Sequence, residues 1–187
     1  MRAKCEKNCF NCARMNNGNT FLRDDLKVVT LYGRGSKGKT TTLVLTLIKL
    51  LLNNNVCISK SVCKNFTLND IMKEYKAEQV GDFTCALTVK TDNGDKTIGF
   101  TTVGDTCWQL IDAFKNCGNC DLYVCASHMS KQSDMFIDNI TKNGVAYKYS
   151  RTTAVQSGAL KSANNAEKDL LNDLQSTYLA KIILNLL

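Results

Sequence analysis

The run Gly33-Arg34-Gly35-Ser36-Lys37-Gly38-Lys39-Thr40 places two glycines, a lysine and a threonine at the spacing GxxxxGK[ST]. A glycine-rich turn lets consecutive backbone N–H groups point inward around an anion. The N-terminus of a following helix adds the positive end of its dipole. Lys39 at that helix start would reach the outer phosphates of a polyphosphate, and the Thr40 hydroxyl would ligate Mg²⁺. The expected phosphate-binding set is Gly33, Arg34, Gly35, Ser36, Lys37, Gly38, Lys39, Thr40 and Thr41.

Gly33, Gly35 and Gly38 also spell GxGxxG, the fingerprint of a dinucleotide site. That site wants an acidic residue about 20 positions on, for the ribose. The chain offers Lys60, Ser61 and Lys64 there. These suit a 2′-phosphate, but an NADP site leaves Lys39-Thr40 unexplained and is the less favoured reading.

The elements around the loop are those a phosphate site needs. Leu26 to Tyr32 reads as a short β-branched strand ending in glycine, and Gly38 to Leu52 as a long apolar helix stopped by Asn53, Asn54 and Asn55. Val56 to Ser59 is a second strand. Thr67 and Asp70 form a capping box before Leu68, Ile71, Met72 and Tyr75, which predicts a short helix. Phe83 to Thr91 alternates, and Ile98, Phe100 and Thr102 alternate again after Asn93-Gly94, which predicts a hairpin. Thr106 with Gln109 caps a helix carrying Trp108, Leu110, Ile111 and Phe114. Leu122 to Ala126 is a buried strand, followed by a helix over Ser133 to Thr141, a strand over Val145 to Tyr149 and a final helix over Ala166 to Leu187. In that last helix Leu171, Leu174, Tyr178 and Ile182 share a stripe expected to pack on the sheet. Strands alternating with helices imply a layered α/β fold with a mainly parallel sheet and one antiparallel hairpin. Residues 1–20 form a cysteine-containing arm and 21–187 the domain.

Through GRGSKGKT the chain resembles the P-loop NTPase superfamily, over the α/β core from Leu26 to Ser150. The resemblance implies a three-layer sandwich in which a second strand ends in an acidic Walker B residue that holds the Mg²⁺ shell. The matching position is Asp105, at the end of Ile98-Gly99-Phe100-Thr101-Thr102-Val103-Gly104-Asp105. Asp105 joins Lys39 as a candidate catalytic residue and Thr40 as a candidate metal ligand. A plainer role for Asp105 is to favour the N-terminus of the helix it precedes. GTPases of the superfamily carry [NT]KxD, whereas Ser130-Lys131-Gln132-Ser133-Asp134 is one residue longer. Their DxxG is met here by Gly104-Asp105 in the opposite order. ATP is therefore expected over GTP. The chain is similar to small kinase-like members, without a specific kinase signature. His128, Lys131 and Arg151 follow strand ends, the edge where ligands bind in open α/β sheets, and are candidates to meet charge developing on a γ-phosphate.

Cys5, Cys9 and Cys12 make CxxxCxxC, and Cys117 and Cys120 make CGNC. Cys9, Cys12, Cys117 and Cys120 could supply four thiolates to one Zn²⁺. Alternatively, Cys5, Cys9 and Cys12 lie on one helical face as small hydrophobes. Cys57, Cys85 and Cys125 fall within strands and are expected in the core.

The 187 residues carry 24 basic and 17 acidic side chains, a net charge of +7 that attracts phosphates. No Arg-rich tail favours nucleic acid. Leu43 to Leu52, the longest apolar run, is short of the ~18 residues that cross a bilayer, and the N-terminus has no apolar signal region. A cytosolic setting, where most of the ten cysteines stay reduced, is the expectation. The reading is a Mg²⁺-dependent ATP-binding protein that hydrolyses ATP or transfers its γ-phosphate to a small acceptor. Two other classes remain open: a slow nucleotide switch that engages a protein partner, and a thiol or metal sensor.

Overall fold

The computed structural model describes residues 25–33, 38–53, 56–64, 70–71, 81–117, 119–128, 130–141, 144–150 and 165–187. The chain is an α/β protein built on a six-stranded mixed sheet with four helices among these residues. In chain order the elements are β1 (Lys27–Gly33), α1 (Lys39–Leu51), β2 (Cys57–Lys64), β3 (Thr84–Thr91), β4 (Gly94–Thr101), α2 (Cys107–Cys117), β5 (Leu122–His128), α3 (Lys131–Ile140), β6 (Val145–Ser150) and α4 (Asn165–Leu186).

The sheet order is β2-β3-β4-β5-β1-β6. β1 runs parallel to both β5 and β6, and β5 runs parallel to β4. The run Val28, Val29, Leu31 in β1 explains the central position: it is apolar on both faces and fully buried, as a strand covered from two sides must be. β5 shows the same two-sidedness. Leu122, Val124 and Ala126 join the apolar layer under α1 and α4, while Tyr123 and Cys125 join the layer under α2 and α3.

The expected hairpin is β3 and β4, paired antiparallel from Thr84↔Thr101 to Thr91↔Gly94. β2 departs from the alternating strand-helix pattern. It adds antiparallel to β3 at the outer edge, far from β1, and runs to Lys64 rather than stopping at Ser59. Of the short helix expected after Thr67, only Asp70 and Ile71 are described, both helical, with Ile71 buried in the main core.

The stripe expected on α4 is corrected. Leu174 and Tyr178 are exposed, and the face turned inward carries Asn172, Ser176, Leu179, Ala180 and Ile183. Apolar residues surround this helix, so their spacing does not set its phase. On that inward face the Thr42 hydroxyl of α1 donates to Asn172 Oδ1 at 3.2 Å, which satisfies two polar groups in the α1–α4 contact. Cys85 and Cys125 are core residues as expected, but Cys57, at the start of the edge strand, is exposed. No helix among the described residues is long and apolar enough to cross a membrane.

Candidate functional site

The parallel strands β1, β5 and β4 end together. Gly33 pairs with His128, Thr101 pairs with Cys125, and the His128 amide donates to the Gly104 carbonyl at 3.1 Å. Gly104 has to be glycine for this: a Cβ there would overlap the carbonyl of Ala126. Asp105 follows at once, exposed on the edge, and α2 begins two residues later. The capping box before α2 is formed, with the Gln109 amide donating to Thr106 Oγ1 at 3.3 Å and the Thr106 amide to Gln109 Oε1 at 2.9 Å.

Gly38 stands at the N-cap of α1 with φ 77° and ψ 18°, a left-handed conformation that favours glycine. It provides no side-chain cap, and the first turn holds no acidic residue. Lys39 is 6% exposed. Its ammonium bends back to donate to the Gly33 carbonyl at 3.0 Å, spanning the ends of the loop. Burial lowers its pKa, and the charges of Asp105 and then Asp82 act against that lowering. Asp105 and Lys39 thus share one electrostatic site although β5 lies between their strands. Thr41 lies on the same first turn. Arg34, Gly35, Ser36 and Lys37 lie outside the described residues.

Asp82 is a site residue that the sequence reading missed. It precedes β3, and because β3 runs antiparallel to β4 its start lies at the same edge as the end of β4. Thr102 donates its amide to the Phe83 carbonyl at 3.0 Å. The Thr40 hydroxyl donates to Asp82 Oδ1 at 3.2 Å, and the Thr102 hydroxyl donates to the same oxygen at 3.1 Å. A lone aspartate before a strand carries no motif; only the pairing direction brings it to Thr40.

His128 is the last residue of β5 and Lys131 the first of α3, both at this edge; Arg151 lies outside the described residues. The Ser130-to-Asp134 segment has local work: Ser130 caps α3 by accepting from the Ser133 amide at 3.1 Å, and Asp134 accepts from the Tyr32 hydroxyl at 3.0 Å.

Of the proposed zinc ligands, Cys9 and Cys12 lie outside the described residues, as does Cys5. Cys117 and Cys120 are buried against Gly99, where a Cβ would stand 3.0 and 3.1 Å from their Sγ atoms. Burial pushes the Cys117 thiol far up and Cys125 to about 12, which makes both poor nucleophiles. Among the described residues no group of three His, Cys, Asp or Glu side chains is placed to hold a metal ion.

No family model, curated protein or solved structure matches the chain.

Proposed function

We propose that this chain binds a nucleoside triphosphate, ATP in preference to GTP, with Mg²⁺, in the turn between β1 and α1 of a three-layer P-loop NTPase fold. On this reading it hydrolyses the triphosphate or passes the γ-phosphate to a small acceptor. The observation that carries the proposal is the meeting of three features at one sheet edge: a left-handed Gly38, an uncapped helix start and a buried Lys39 ammonium. A helix start and a lysine ammonium at one place are groups that suit a polyphosphate.

The chain's own groups divide the work. First-turn amides of α1 hold phosphate oxygens. Lys39 exchanges its neutral acceptor, the Gly33 carbonyl, for a charged one, which makes a stronger hydrogen bond. The hard oxygens of Thr40 and Asp105 fit Mg²⁺, with Asp105 serving its outer shell. When bound, Mg²⁺ supplies positive charge that offsets the charge developing on the migrating phosphoryl group. His128 and Lys131 are the described groups positioned to meet that charge from the β5 side. A cytosolic setting fits Cys57, Cys85, Cys107, Cys117, Cys120 and Cys125, all of them thiols.

A second reading, a nucleotide-dependent switch with little turnover, draws support from α4, whose Leu170 and Leu174 are 59% and 58% exposed. Such residues suit a protein partner.

Calorimetric titration with ATP, GTP and NADPH, with and without Mg²⁺, tests the reading on wild type and Lys39→Ala. Mg²⁺-dependent binding of one triphosphate, lost in the variant, is expected. Binding of NADPH alone, indifferent to Mg²⁺, would overturn it.

A further inference from the structure

We infer that Asp82 is the positioning residue that aims the Thr40 hydroxyl oxygen at a nucleotide-bound Mg²⁺, a duty distinct from that of Asp105; the inference rests on the nucleotide-binding reading above.

The direction of three hydrogen bonds carries it. The Phe83 amide can only donate, and it donates to Thr102 Oγ1 at 2.9 Å. That occupies a lone pair of Thr102, whose single proton then goes to Asp82 Oδ1 at 3.1 Å. The same carboxylate oxygen takes the single proton of Thr40 at 3.2 Å. The two hydroxyls converge on one carboxylate oxygen and restrict its rotation. With its proton committed to Asp82, Thr40 presents only lone pairs in other directions, as a ligand to a hard cation must. The anchor is stiff: Thr84 and Thr101 join their hydroxyls at 2.8 Å across the β3–β4 pair, and the Thr101 hydroxyl also reaches the Phe83 carbonyl at 3.2 Å. The Thr40 proton given to Asp82 is not available to Asp105, so the two carboxylates cannot share this task. Asp82 also adds negative charge beside Lys39, which places it within the field of the phosphate site rather than on an unrelated loop.

Metal binding can be read apart from turnover, by electron paramagnetic resonance of free Mn²⁺ during titration into protein saturated with a non-hydrolysable ATP analogue, alongside analogue affinity measured in excess chelator. Asp82→Asn is expected to weaken Mn²⁺ binding by about tenfold or more, the usual consequence of losing an outer-sphere partner, while leaving the metal-free affinity within about twofold. Asp82→Glu recovers part of the loss. In a Thr40→Val background Asp82→Asn adds nothing further, because its effect runs through that hydroxyl. Thr102→Val, which leaves Thr40 and Asp82 in place, shows a smaller loss of the same kind and serves where Asp82→Asn does not fold. Equal Mn²⁺ affinity in wild type, Asp82→Asn and Thr102→Val overturns the inference while Lys39-dependent analogue binding leaves the nucleotide reading standing. An additive loss in the Thr40→Val background overturns it too. If wild type binds no analogue at all, both fall.

Discussion

The Lys39 ammonium reaches back over the loop to the Gly33 carbonyl at 3.0 Å, so the side chain that opens α1 is tied to the residue that ends β1. Its charge is buried and its pKa lowered by that burial. The bond closes the loop without a ligand, yet its neutral acceptor is one that a phosphate oxygen would outcompete.

Lys39→Met therefore separates binding from folding. Removing the ammonium relieves a desolvation penalty and gives up its bond to the Gly33 carbonyl, so the unliganded protein should unfold within about 1 kcal/mol of wild type. Triphosphate affinity should fall by at least a hundredfold. Chemical denaturation and calorimetry on the same samples measure the two effects.

Gly104→Ala tests the close approach of the β4 extension to β5. Its Cβ would overlap the Ala126 carbonyl, a backbone atom that cannot swing away. A loss of about 3 kcal/mol or more is expected, the size reserved for overpacking against a rigid neighbour. Thermal unfolding measures it, and because Asp105 follows directly, triphosphate affinity should fall in the folded fraction as well.

The phase of α4 has its own contrast. Asn172→Ala removes the acceptor of the buried Thr42 hydroxyl and should cost about 1–3 kcal/mol. Leu174→Ser, on the exposed side, should change stability by less than about 0.5 kcal/mol. Urea midpoints with unchanged slopes would show both.

The buried thiols set an alkaline limit. Burial raises the Cys125 pKa from 9.0 to about 12 and raises Cys117 further. A folded-state pKa above the unfolded value keeps its stabilisation below the unfolded pKa and loses it as pH climbs, because only the unfolded chain releases the proton. Stability should thus fall progressively between pH 9 and 12. Alkylation mapped by mass spectrometry should label Cys57 in native protein and reach Cys117 and Cys125 only on unfolding.

The local elements were legible because their signals are local. β1, α1, the β3–β4 hairpin, the Thr106–Gln109 box and β5 lie within a few residues of their expected bounds, since apolar period, turn residues and caps act over short stretches of chain. The phosphate-loop candidates were equally plain, being contiguous from Gly33 to Thr41.

Three things lay beyond the sequence, for one physical reason: each depends on which elements become neighbours. β2 lies antiparallel at the far edge of the sheet because pairing partners are chosen in three dimensions. The inward face of α4 carries Asn172, bonded to Thr42 of α1 130 residues away, and the helix's own apolar spacing does not single that face out. Asp82 meets Thr40 only because β3 runs against β4, which carries the start of one strand to the end of the other. The sequence by itself determined the loop, its lysine and the alternation of elements; the tertiary structure decided which carboxylate stands at the threonine.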